Sequence, residues 1–381
     1  MELWAIALED MVSNTLRSSV ESVYRGQTVL VTGHNGFVGS WLSHWLVGVG
    51  ADVVGVSLPA PTGSLAKVTQ LDQFVTPYEL DIRSASDLQE VVDRHRPKVV
   101  FHLAAQALVL PSYEDPLDTL TTNVLGTANV LEALRDQSSI RACVVITSDK
   151  CYDNGNHPHT EDDRLGGDDP YSASKAAAEL ITHAYRHSFL SKGGVGLATA
   201  RAGNIIGGGD WGTHRIVPDC MRAAADGVPL VLRHPGAVRP WQHVLDAVAG
   251  YLQLGAALSA EPILFGRAWN FGPDEASSAT VGDLVEQLLV AWSNRAGRHP
   301  PKPIHPNIAT PHERRYLRLD SGRAHKELRW KPLLSLAATV AWTVDWYWSY
   351  LNATSGDHRV LLAHQIERYL VLDANESEAT Q

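Results

Sequence analysis

The turn between residues 33 and 39 constrains this chain more than any other feature. The strand-forming run Thr28 to Thr32 leads directly into three glycines spaced three apart, and a helical pattern opens at Ser40. Glycine lets two backbones, or a backbone and a phosphate, approach closely, and the amides at a helix N-terminus attract anions. Strand, turn and helix therefore predict an α/β fold whose first turn holds a dinucleotide pyrophosphate. The predicted cofactor-binding residues of this turn are Gly33, Asn35, Gly36, Phe37, Val38 and Gly39.

The glycine spacing alone leaves an alternative open. It is GxxGxxG rather than GxGxxG, so a plain tight turn is also possible. The second strand ends at Val56-Ser57-Leu58, with neither the carboxylate that binds the ribose of NAD nor an arginine for the phosphate of NADP. The motif therefore leaves NAD and NADP undecided.

Strand-forming segments recur about every 30 residues through the first half of the chain, and helical patterns lie between them. Helices are predicted at Pro116–Arg135 and Tyr171–Phe189. This alternation predicts a Rossmann-type, doubly wound parallel sheet with right-handed crossovers. After the first strand, the predicted strands are Ala51–Leu58, a segment ending at Leu80, Lys98–Ala105, a run from Val144 that leads to Ser148, and Gly196–Arg201.

The character of the sequence changes after Arg201. Residues 202–211 are glycine-rich and too irregular for a helix, and short elements follow with a returning strand at Ala268–Phe271. These features predict a smaller, interleaved C-terminal domain that binds the substrate. An aromatic stripe that includes Trp342 and Trp346 predicts a helix packed on that domain. The predicted divisions are an N-terminal extension at 1–25, a cofactor domain at 26–203 with returning segments at about 241–272, a substrate domain at 204–240 and 273–350, and a tail at 351–381.

Composition excludes several classes of protein. Hydrophobic residues make up 44% and charged residues 19%, as in a globular chain. The net charge is −10 and there is no long basic run, so nucleic acid is not the expected partner. The sequence has no run of about 18 consecutive apolar residues, so no membrane-spanning helix is predicted. The three cysteines form no CxxC pair and no zinc spacing, so we expect a reducing, cytoplasmic setting and no metal.

The predicted catalytic residues lie at the end of the fifth strand and in the helix that follows. The strand runs into Ser148-Asp149-Lys150, and ligands of open α/β sheets bind at the carboxyl ends of strands. Tyr171 and Lys175 are four residues apart, which places them on one helix face. A neighbouring cation is expected to lower the pKa of the Tyr171 phenol and suit it to act as a general base. By itself YxxxK is a weak signal, since most such strings are ordinary helix surface.

Further binding residues are predicted around the same edge of the sheet. Arginines pair with phosphate through two parallel hydrogen bonds, although any single arginine is as often a solvated surface charge. The additional cofactor-binding residues are Asp81, Ile82, Leu103, Ala104, Ala105 and Asn123, together with Tyr171 and Lys175. The predicted substrate-binding residues are Gln106, Asn204, Arg215, Arg239, Trp241 and Arg315.

Taken together, these segments resemble the extended short-chain dehydrogenase/reductase family from about Tyr24 onward. Within that family the chain is similar to the nucleotide-sugar 4,6-dehydratases that act on CDP-glucose. The segments that carry the resemblance are VTGHNGFVGSWLSHW at 31–45, TSDKCYDN at 147–154, LGGDDPYSASK at 165–175, RAGNIIGGGDW at 201–211, RPWQHV at 239–244 and PHERRYLRLD at 311–320.

The resemblance implies NAD as cofactor and a reaction in three stages. Tyr171 would take the proton of the sugar 4-hydroxyl as C4 is oxidised, with Ser148 hydrogen-bonded to the same oxygen. Lys150 would then remove the C5 proton while Asp149 protonates the departing 6-hydroxyl. Hydride would return to C6, so the cofactor is regenerated. The resemblance also implies a homodimer that pairs helices 116–135 and 171–189 of two subunits.

Other functions stay open at this point. A nucleotide-sugar epimerase or 4-ketoreductase would have the same fold, but it eliminates no water and has no use for an acid and a base at Asp149 and Lys150. A dehydratase for a dTDP- or GDP-sugar is a second alternative. A non-catalytic, NAD-sensing protein is a third, and would be expected to lack the pair of Tyr171 and Lys175.

Overall fold

Seven parallel strands form a central sheet in the order β3-β2-β1-β4-β5-β6-β9, and three more form a small sheet in the order β10-β8-β7. The computed structural model describes residues 16–155, 157–274, 277–305, 317–353 and 358–379. The strands are β1 Thr28–Thr32, β2 Asp52–Ser57, β3 Thr76–Glu79, β4 Val99–His102, β5 Ala142–Ile146, β6 Gly196–Ala202, β7 Asn204–Ile206, β8 Val238–His243, β9 Ala268–Phe271 and β10 Ser278–Thr280.

The doubly wound parallel fold predicted from the sequence is confirmed. The bounds of β1 and β9 match the prediction, and the other predicted strands differ by a few residues at their ends. The central strands are buried on both faces because helices cover both sides of the sheet. That is why these strands read as continuous apolar runs.

Helices connect the strands and cover both faces. They are α1 Leu16–Tyr24, α2 Phe37–Gly48, α3 Leu65–Val68, α4 Ala85–His95, α5 Val109–Glu114, α6 Pro116–Leu120, α7 Gly126–Leu134, α8 Pro170–Tyr185, α9 Ile216–Asp226, α10 Val244–Ala260, α11 Pro262–Phe265, α12 Val281–Ala296, α13 Leu336–Asn352 and α14 Arg359–Ala379.

Both long helices predicted from the sequence are present, and each contains a π-helical turn. Thr121–Leu125 is a π-turn that joins α6 to α7, and Arg186–Leu190 is one that continues α8. The start of α8 is fixed locally: Pro170 occupies its first turn, and the Asp169 side chain accepts a hydrogen bond from the Ser172 amide. These contacts set the position of Tyr171 in the first turn of the helix.

Successive side chains of a strand point to opposite faces of the sheet, where they pack into two apolar cores, one on each face. Val29 and Val31 point into the larger core, which includes Trp41 and Trp45 of α2. Leu30 points into the smaller core, between the sheet and the helices α4 and α7. The period-2 alternation of a strand produces this division.

The second sheet and α13 build the part of the fold beyond β6. β8 pairs parallel with β7 and antiparallel with β10. The aromatic stripe forms α13, as predicted, and packs against the glycine-rich segment: a Cβ on Gly208 would lie 2.0 Å from Trp346. The Tyr347 hydroxyl donates a hydrogen bond to the Asp210 carbonyl. The predicted domain boundaries stay a prediction.

The described part of the N-terminal segment is a docked helix. In α1, Leu16, Val20 and Tyr24 are buried, and the Tyr24 hydroxyl donates to the Leu252 carbonyl at 2.7 Å. Among the residues that the structure describes, no helix is long and apolar enough to cross a bilayer.

Candidate active site

A cleft of about 720 Å³ opens at the carboxyl ends of the central strands and extends to β7 and β8. It brings together most of the residues predicted from the sequence. Of the predicted cofactor and catalytic residues, those that line it are Gly33, Gly36, Phe37, Val38, Gly39, Asp81, Ile82, Leu103, Ala104, Ala105, Ser148, Asp149, Lys150, Tyr171 and Lys175. The predicted substrate residues that line it are Gln106, Asn204, Arg215, Arg239 and Trp241. Arg315 lies outside the described residues.

The glycines of the first turn are required by close backbone packing. Gly33 has a φ of +76°, and a Cβ there would lie 2.6 Å from the Ala104 amide nitrogen. A Cβ on Gly39 would lie 2.1 Å from the Gly33 carbonyl oxygen. Helix α2 begins after Gly36 without a side-chain cap, so the first amides of the helix have no side-chain acceptor. A turn of this shape next to an uncapped helix N-terminus suits a pyrophosphate.

Two predicted cofactor residues are not among those that line the cleft. The Asn123 side chain accepts from the Gln106 amide at 2.8 Å and donates to the Gln106 carbonyl and to Ser174 Oγ. Asn35 donates to the Leu58 carbonyl at 3.1 Å. Both side chains therefore hold cleft-forming loops in place.

Gln106 lines the cleft, but its side-chain amide is bonded to its own loop and to helix α6. It donates to the Leu108 carbonyl and to Thr119 Oγ1, both at 2.9 Å, and accepts from the Leu108 amide. The loop after β4 is thereby held in place by Asn123, which bonds the backbone of Gln106, and by Thr119 of α6, which bonds its side chain.

The three polar residues after β5 form a tight cluster. Ser148 Oγ donates to Asp149 Oδ1 at 3.0 Å and accepts from the Lys150 amide at 3.2 Å. Ser148 also lies within hydrogen-bonding reach of Tyr171. Asp149 is buried and Lys150 half-buried. The cluster thus puts a hydroxyl, a carboxylate, an amine and a phenol on one wall of the cleft.

The prediction that Lys175 lowers the pKa of Tyr171 is wrong. Burial raises the pKa of the Tyr171 phenol to about 12, and a hydrogen bond with Ser148 and the charge of Arg215 only partly oppose this effect. Desolvation outweighs them because the phenol is enclosed, and helical spacing carries no information about enclosure.

Lys175 is itself strongly affected by burial. Its Nζ donates to the Ile146 carbonyl at 3.3 Å. Burial lowers the pKa of this ammonium to about 8, and the charge of Glu179 opposes the shift. The amine therefore titrates much closer to neutrality than an ordinary lysine.

A buried ion pair behind Lys175 was missed by sequence reasoning. Arg201 Nη2 donates to Glu179 Oε2 at 2.7 Å, and the side chains are only 4% and 3% exposed. Thr199 donates to the same oxygen at 2.8 Å, and Thr147 donates to Oε1. The sequence did carry a signal, because Glu179 continues the four-residue spacing of Tyr171 and Lys175, and Arg201 is the one charged residue of strand β6.

Two arginines and a tryptophan that line the cleft are held by neighbouring groups. Asp210 accepts from Arg215 Nη1 through both carboxylate oxygens, at 3.2 and 3.1 Å. Arg239 is 6% exposed and donates to the Val238 carbonyl at 2.9 Å. Trp241 donates from Nε1 to the Ala279 carbonyl at 3.1 Å. Asp210 is a further residue that sequence reasoning missed.

Comparison with known proteins places this architecture in a family. A family model described as GDP-mannose 4,6 dehydratase matches residues 30–343. The chain belongs to this family. It is one of the extended short-chain dehydrogenases/reductases, so the resemblance seen in the sequence is confirmed. The activity that the resemblance implied, that of a nucleotide-sugar 4,6-dehydratase and therefore of a lyase, is confirmed as well.

Individual members of the family align over most of their length. A CDP-glucose 4,6-dehydratase from Salmonella typhimurium is 41% identical over 340 residues, which cover 87% of this chain and 93% of the relative. A dTDP-glucose 4,6-dehydratase from Streptomyces griseus is 31% identical, covering 84% and 93%. DesIV, a dTDP-glucose 4,6-dehydratase from Streptomyces venezuelae solved with NAD bound, superposes with a TM-score of 0.71 at 25% identity, covering 85% of this chain and 97% of DesIV.

Proposed function

We propose that this member of the family converts CDP-glucose to CDP-4-keto-6-deoxyglucose with NAD as its cofactor. The observation that carries the proposal is the placement of Ser148, Asp149, Lys150 and Tyr171 on one wall of a single cleft. The choice of nucleotide is supported by sequence identity: the chain is 41% identical to a CDP-glucose 4,6-dehydratase and 31% identical to a dTDP-glucose 4,6-dehydratase.

The first turn and its surroundings fit NAD. Gly33 and Gly39 leave no room for a side chain, and the N-terminus of α2 offers amides to a pyrophosphate. Ala104 and Ala105 leave space beside β4 for the rest of the cofactor. When bound, NAD would accept the hydride from C4 of the sugar and return it to C6.

Tyr171 and Ser148 are proposed to serve the oxidation of C4. The two side chains lie within hydrogen-bonding reach of each other, so both can contact the same sugar hydroxyl. Tyr171 takes the proton from that hydroxyl, and Ser148 holds the oxygen in position. Burial raises the pKa of the phenol and so opposes the phenolate that this step needs, whereas hydrogen bonding by Ser148 and the charge of Arg215 favour the phenolate.

Asp149 and Lys150 are proposed to serve the elimination. Oxidation at C4 makes the proton on C5 acidic. Lys150 removes that proton as a neutral amine, and Asp149 in its protonated form donates to the departing 6-hydroxyl. Adjacent positions on the tight turn Asp149–Cys151 let the two side chains reach neighbouring atoms of one sugar ring.

The remaining cleft residues are proposed to bind the nucleotide. Arg215 and Arg239 offer guanidinium groups to the diphosphate, and Trp241 lines the same region. Asp210 holds Arg215 from behind. The enclosure of Tyr171 at 8% exposure helps to keep water from the reacting atoms.

The test is incubation of the purified protein with CDP-glucose, without added reductant, followed by mass spectrometry. The expected product has lost one water, with no net consumption of NAD. Parallel reactions with dTDP-, GDP- and UDP-glucose test the nucleotide. Faster water loss from one of these sugars would move the assignment to another dehydratase, and a rearranged sugar of unchanged mass would favour an epimerase.

We also propose that the protein is a homodimer formed through α6, α7 and α8. Large apolar side chains on these helices and their π-turns are exposed, among them Leu117 at 71%, Leu125 at 51% and Leu180 at 60%. Sedimentation velocity should show a dimer that Leu117→Glu with Leu180→Glu dissociates. Ile263→Glu is the control, because Ile263 is 82% exposed on α11 and should leave the dimer intact. A wild-type monomer, or a dimer that survives the double change, would refute this arrangement.

A reducing, cytoplasmic setting is proposed for the same protein. Its support is that Cys143, Cys151 and Cys220 are all buried, free thiols. Cysteines that serve as small apolar core residues have no need of an oxidising compartment.

A further inference from the structure

Three potential metal ligands meet in the segment between Lys150 and Tyr171. One ligand atom from each of His157, His159 and Asp163 lies within 4.8 Å of the others. His157 Nε2 is 2.7 Å and His159 Nδ1 is 2.9 Å from the same oxygen, Asp163 Oδ2. None of the three lines the cleft described above.

We propose that His157, His159 and Asp163 bind a divalent transition-metal ion, with zinc as the ion that their donor atoms favour. Two imidazole nitrogens and one carboxylate oxygen are a common zinc ligand set, and nitrogen donors disfavour magnesium and calcium. The side chain of His157 is 62% exposed, so water can reach a fourth coordination position. The ion would replace the hydrogen bonds that now join the three side chains.

The surrounding residues hold two of the three ligands in place. His159 is 4% exposed, and its ring stacks on Tyr152 with centroids 4.6 Å apart and an interplanar angle of 4°. The other oxygen of Asp163 accepts from Thr160 Oγ1 at 2.9 Å. Ligands that are already oriented lose less conformational entropy when an ion binds.

A glycine beside the cluster fits the same interpretation. A Cβ on Gly155 would lie 2.9 Å from His159 Cε1 and 3.0 Å from His157 Cε1. The backbone therefore passes against both imidazoles at a position where a side chain would push them apart.

The donor atoms of the cluster also suit a cation, because two imidazole nitrogens and one carboxylate oxygen face one another. The expectation of no metal rested on cysteine spacing and did not weigh these histidines. Their pattern, HxHxxxD over residues 157–163, is short and local.

An ion at this position would fix the segment that connects the two halves of the catalytic wall. His159 stacks on Tyr152, whose hydroxyl donates to Asn270 at 2.6 Å and accepts from Arg201 at 2.8 Å. Arg201 in turn pairs with Glu179 on α8. Metal binding is therefore expected to raise the thermal midpoint of the whole protein.

The test is equilibrium dialysis of the full chain, with NAD present, against ZnCl₂ after treatment with a chelator. The variants are His157→Ala, whose exposed side chain can be removed without affecting folding, and Asp163→Asn. His187→Ala is the control. Its ring lies 4.1 Å from that of His183 on the outer surface of the protein, so this variant tests whether an exposed histidine pair accounts for the binding. Co²⁺ absorption spectra give an independent measure of coordination.

The expected result is one bound Zn²⁺ per chain. The midpoint of thermal unfolding should be higher with Zn²⁺ present than after chelation. Loss of a residue that only hydrogen-bonds a metal ligand lowers metal affinity by roughly 10- to 100-fold. Both cluster variants remove a ligand itself, so they should lower the affinity for Zn²⁺ by more than this. His187→Ala should retain the tight site. Failure of the wild type to bind one equivalent, or binding unchanged in His157→Ala, would overturn the proposal whatever the protein's activity on CDP-glucose.

Discussion

Arg201 on β6 and Glu179 on α8 form an ion pair of 2.7 Å directly behind the predicted catalytic lysine, Lys175. Glu179 lies one helical turn after Lys175, and its charge opposes the fall in the pKa of that lysine. The pair also fixes α8 against the sheet, because Thr147 and Thr199 donate to the same carboxylate. The position and the charge of Lys175 therefore both depend on Glu179.

Glu179→Gln is expected to destabilise the protein by about 3–5 kcal/mol, since it leaves the buried Arg201 without its counter-charge. Urea unfolding followed by circular dichroism measures the loss. Glu90→Gln is the matched control, because Glu90 pairs with Arg94 on the exposed face of α4 and should cost less than about 0.5 kcal/mol. Equal losses for the two variants would show that the buried pair contributes nothing beyond a surface pair.

Tyr171→Phe is expected to lower kcat by roughly 10²- to 10⁴-fold, the usual contribution of a general base, while NAD still binds. Water loss from CDP-glucose measures turnover, and quenching of tryptophan fluorescence measures cofactor binding. Tyr185→Phe on the same helix is the control, because its hydroxyl bonds Glu132 outside the cleft. Activity retained in Tyr171→Phe would remove this residue from its proposed role.

The contrast between Tyr171 and the first turn shows what the sequence can and cannot predict. Residues 33–39 follow one strand directly, so local glycine spacing was enough to predict their shape. The spacing of Tyr171 and Lys175 likewise predicted a shared helix face. The pKa of Tyr171 depends on its burial and on the opposing effects of Ser148 and Arg215, and these surroundings exist only in the folded chain.

Polar networks escaped sequence reasoning for the same reason. Glu179 and Arg201 are 22 residues apart and meet only when α8 packs on β6. Asn123 was predicted to touch the cofactor, but its contact with Ser174 forms only when α8 lies beside the π-turn at Thr121–Leu125. A sequence pattern indicates that such polar residues are present without indicating which partner each one finds.

Lys150→Ala is expected to permit oxidation at C4 and to stall elimination, because no base remains to take the proton from C5. With CDP-glucose in D₂O, the wild type should give a dehydrated product carrying deuterium at C5, and the variant should give little product. Lys192→Ala, in the exposed turn after α8, is the control. Unimpaired water loss by Lys150→Ala would assign proton removal to another group.

Arg239→Ala is expected to weaken the binding of CDP-glucose by about 1.5–3 kcal/mol, the contribution of a charge-assisted hydrogen bond, which is roughly a 10- to 100-fold rise in KM. Because Arg239 is buried, the thermal midpoint of the variant should be measured as well. Arg94→Ala, on the exposed face of α4, controls for the loss of one positive charge. An unchanged KM in a folded Arg239→Ala would place the diphosphate elsewhere in the cleft.

Asp246 provides a pH-dependent test of stability that is independent of catalysis. Its carboxyl is fully buried in α10 and accepts hydrogen bonds from the Leu333 amide and the Tyr369 hydroxyl, each at 2.8 Å. Burial raises its pKa from 3.8 to about 7, against the opposing effect of these hydrogen bonds, and the charge of Asp274 adds to the rise. Between these two pH values the folded state holds a proton that the unfolded state has lost, so this group's contribution to stability falls as pH rises.

Asp246→Asn should remove that dependence. The free energy of unfolding of the wild type, minus that of the variant, is expected to fall between about pH 4 and pH 7, by at most about 1.4 kcal/mol per pH unit, and to level off above pH 7. Urea unfolding at each pH measures it, and the subtraction cancels groups that titrate alike in both proteins. Asp283→Asn, in the exposed capping box of α12, is the control. A difference that rises over this range would show that the Asp246 carboxyl is ionised in the folded protein.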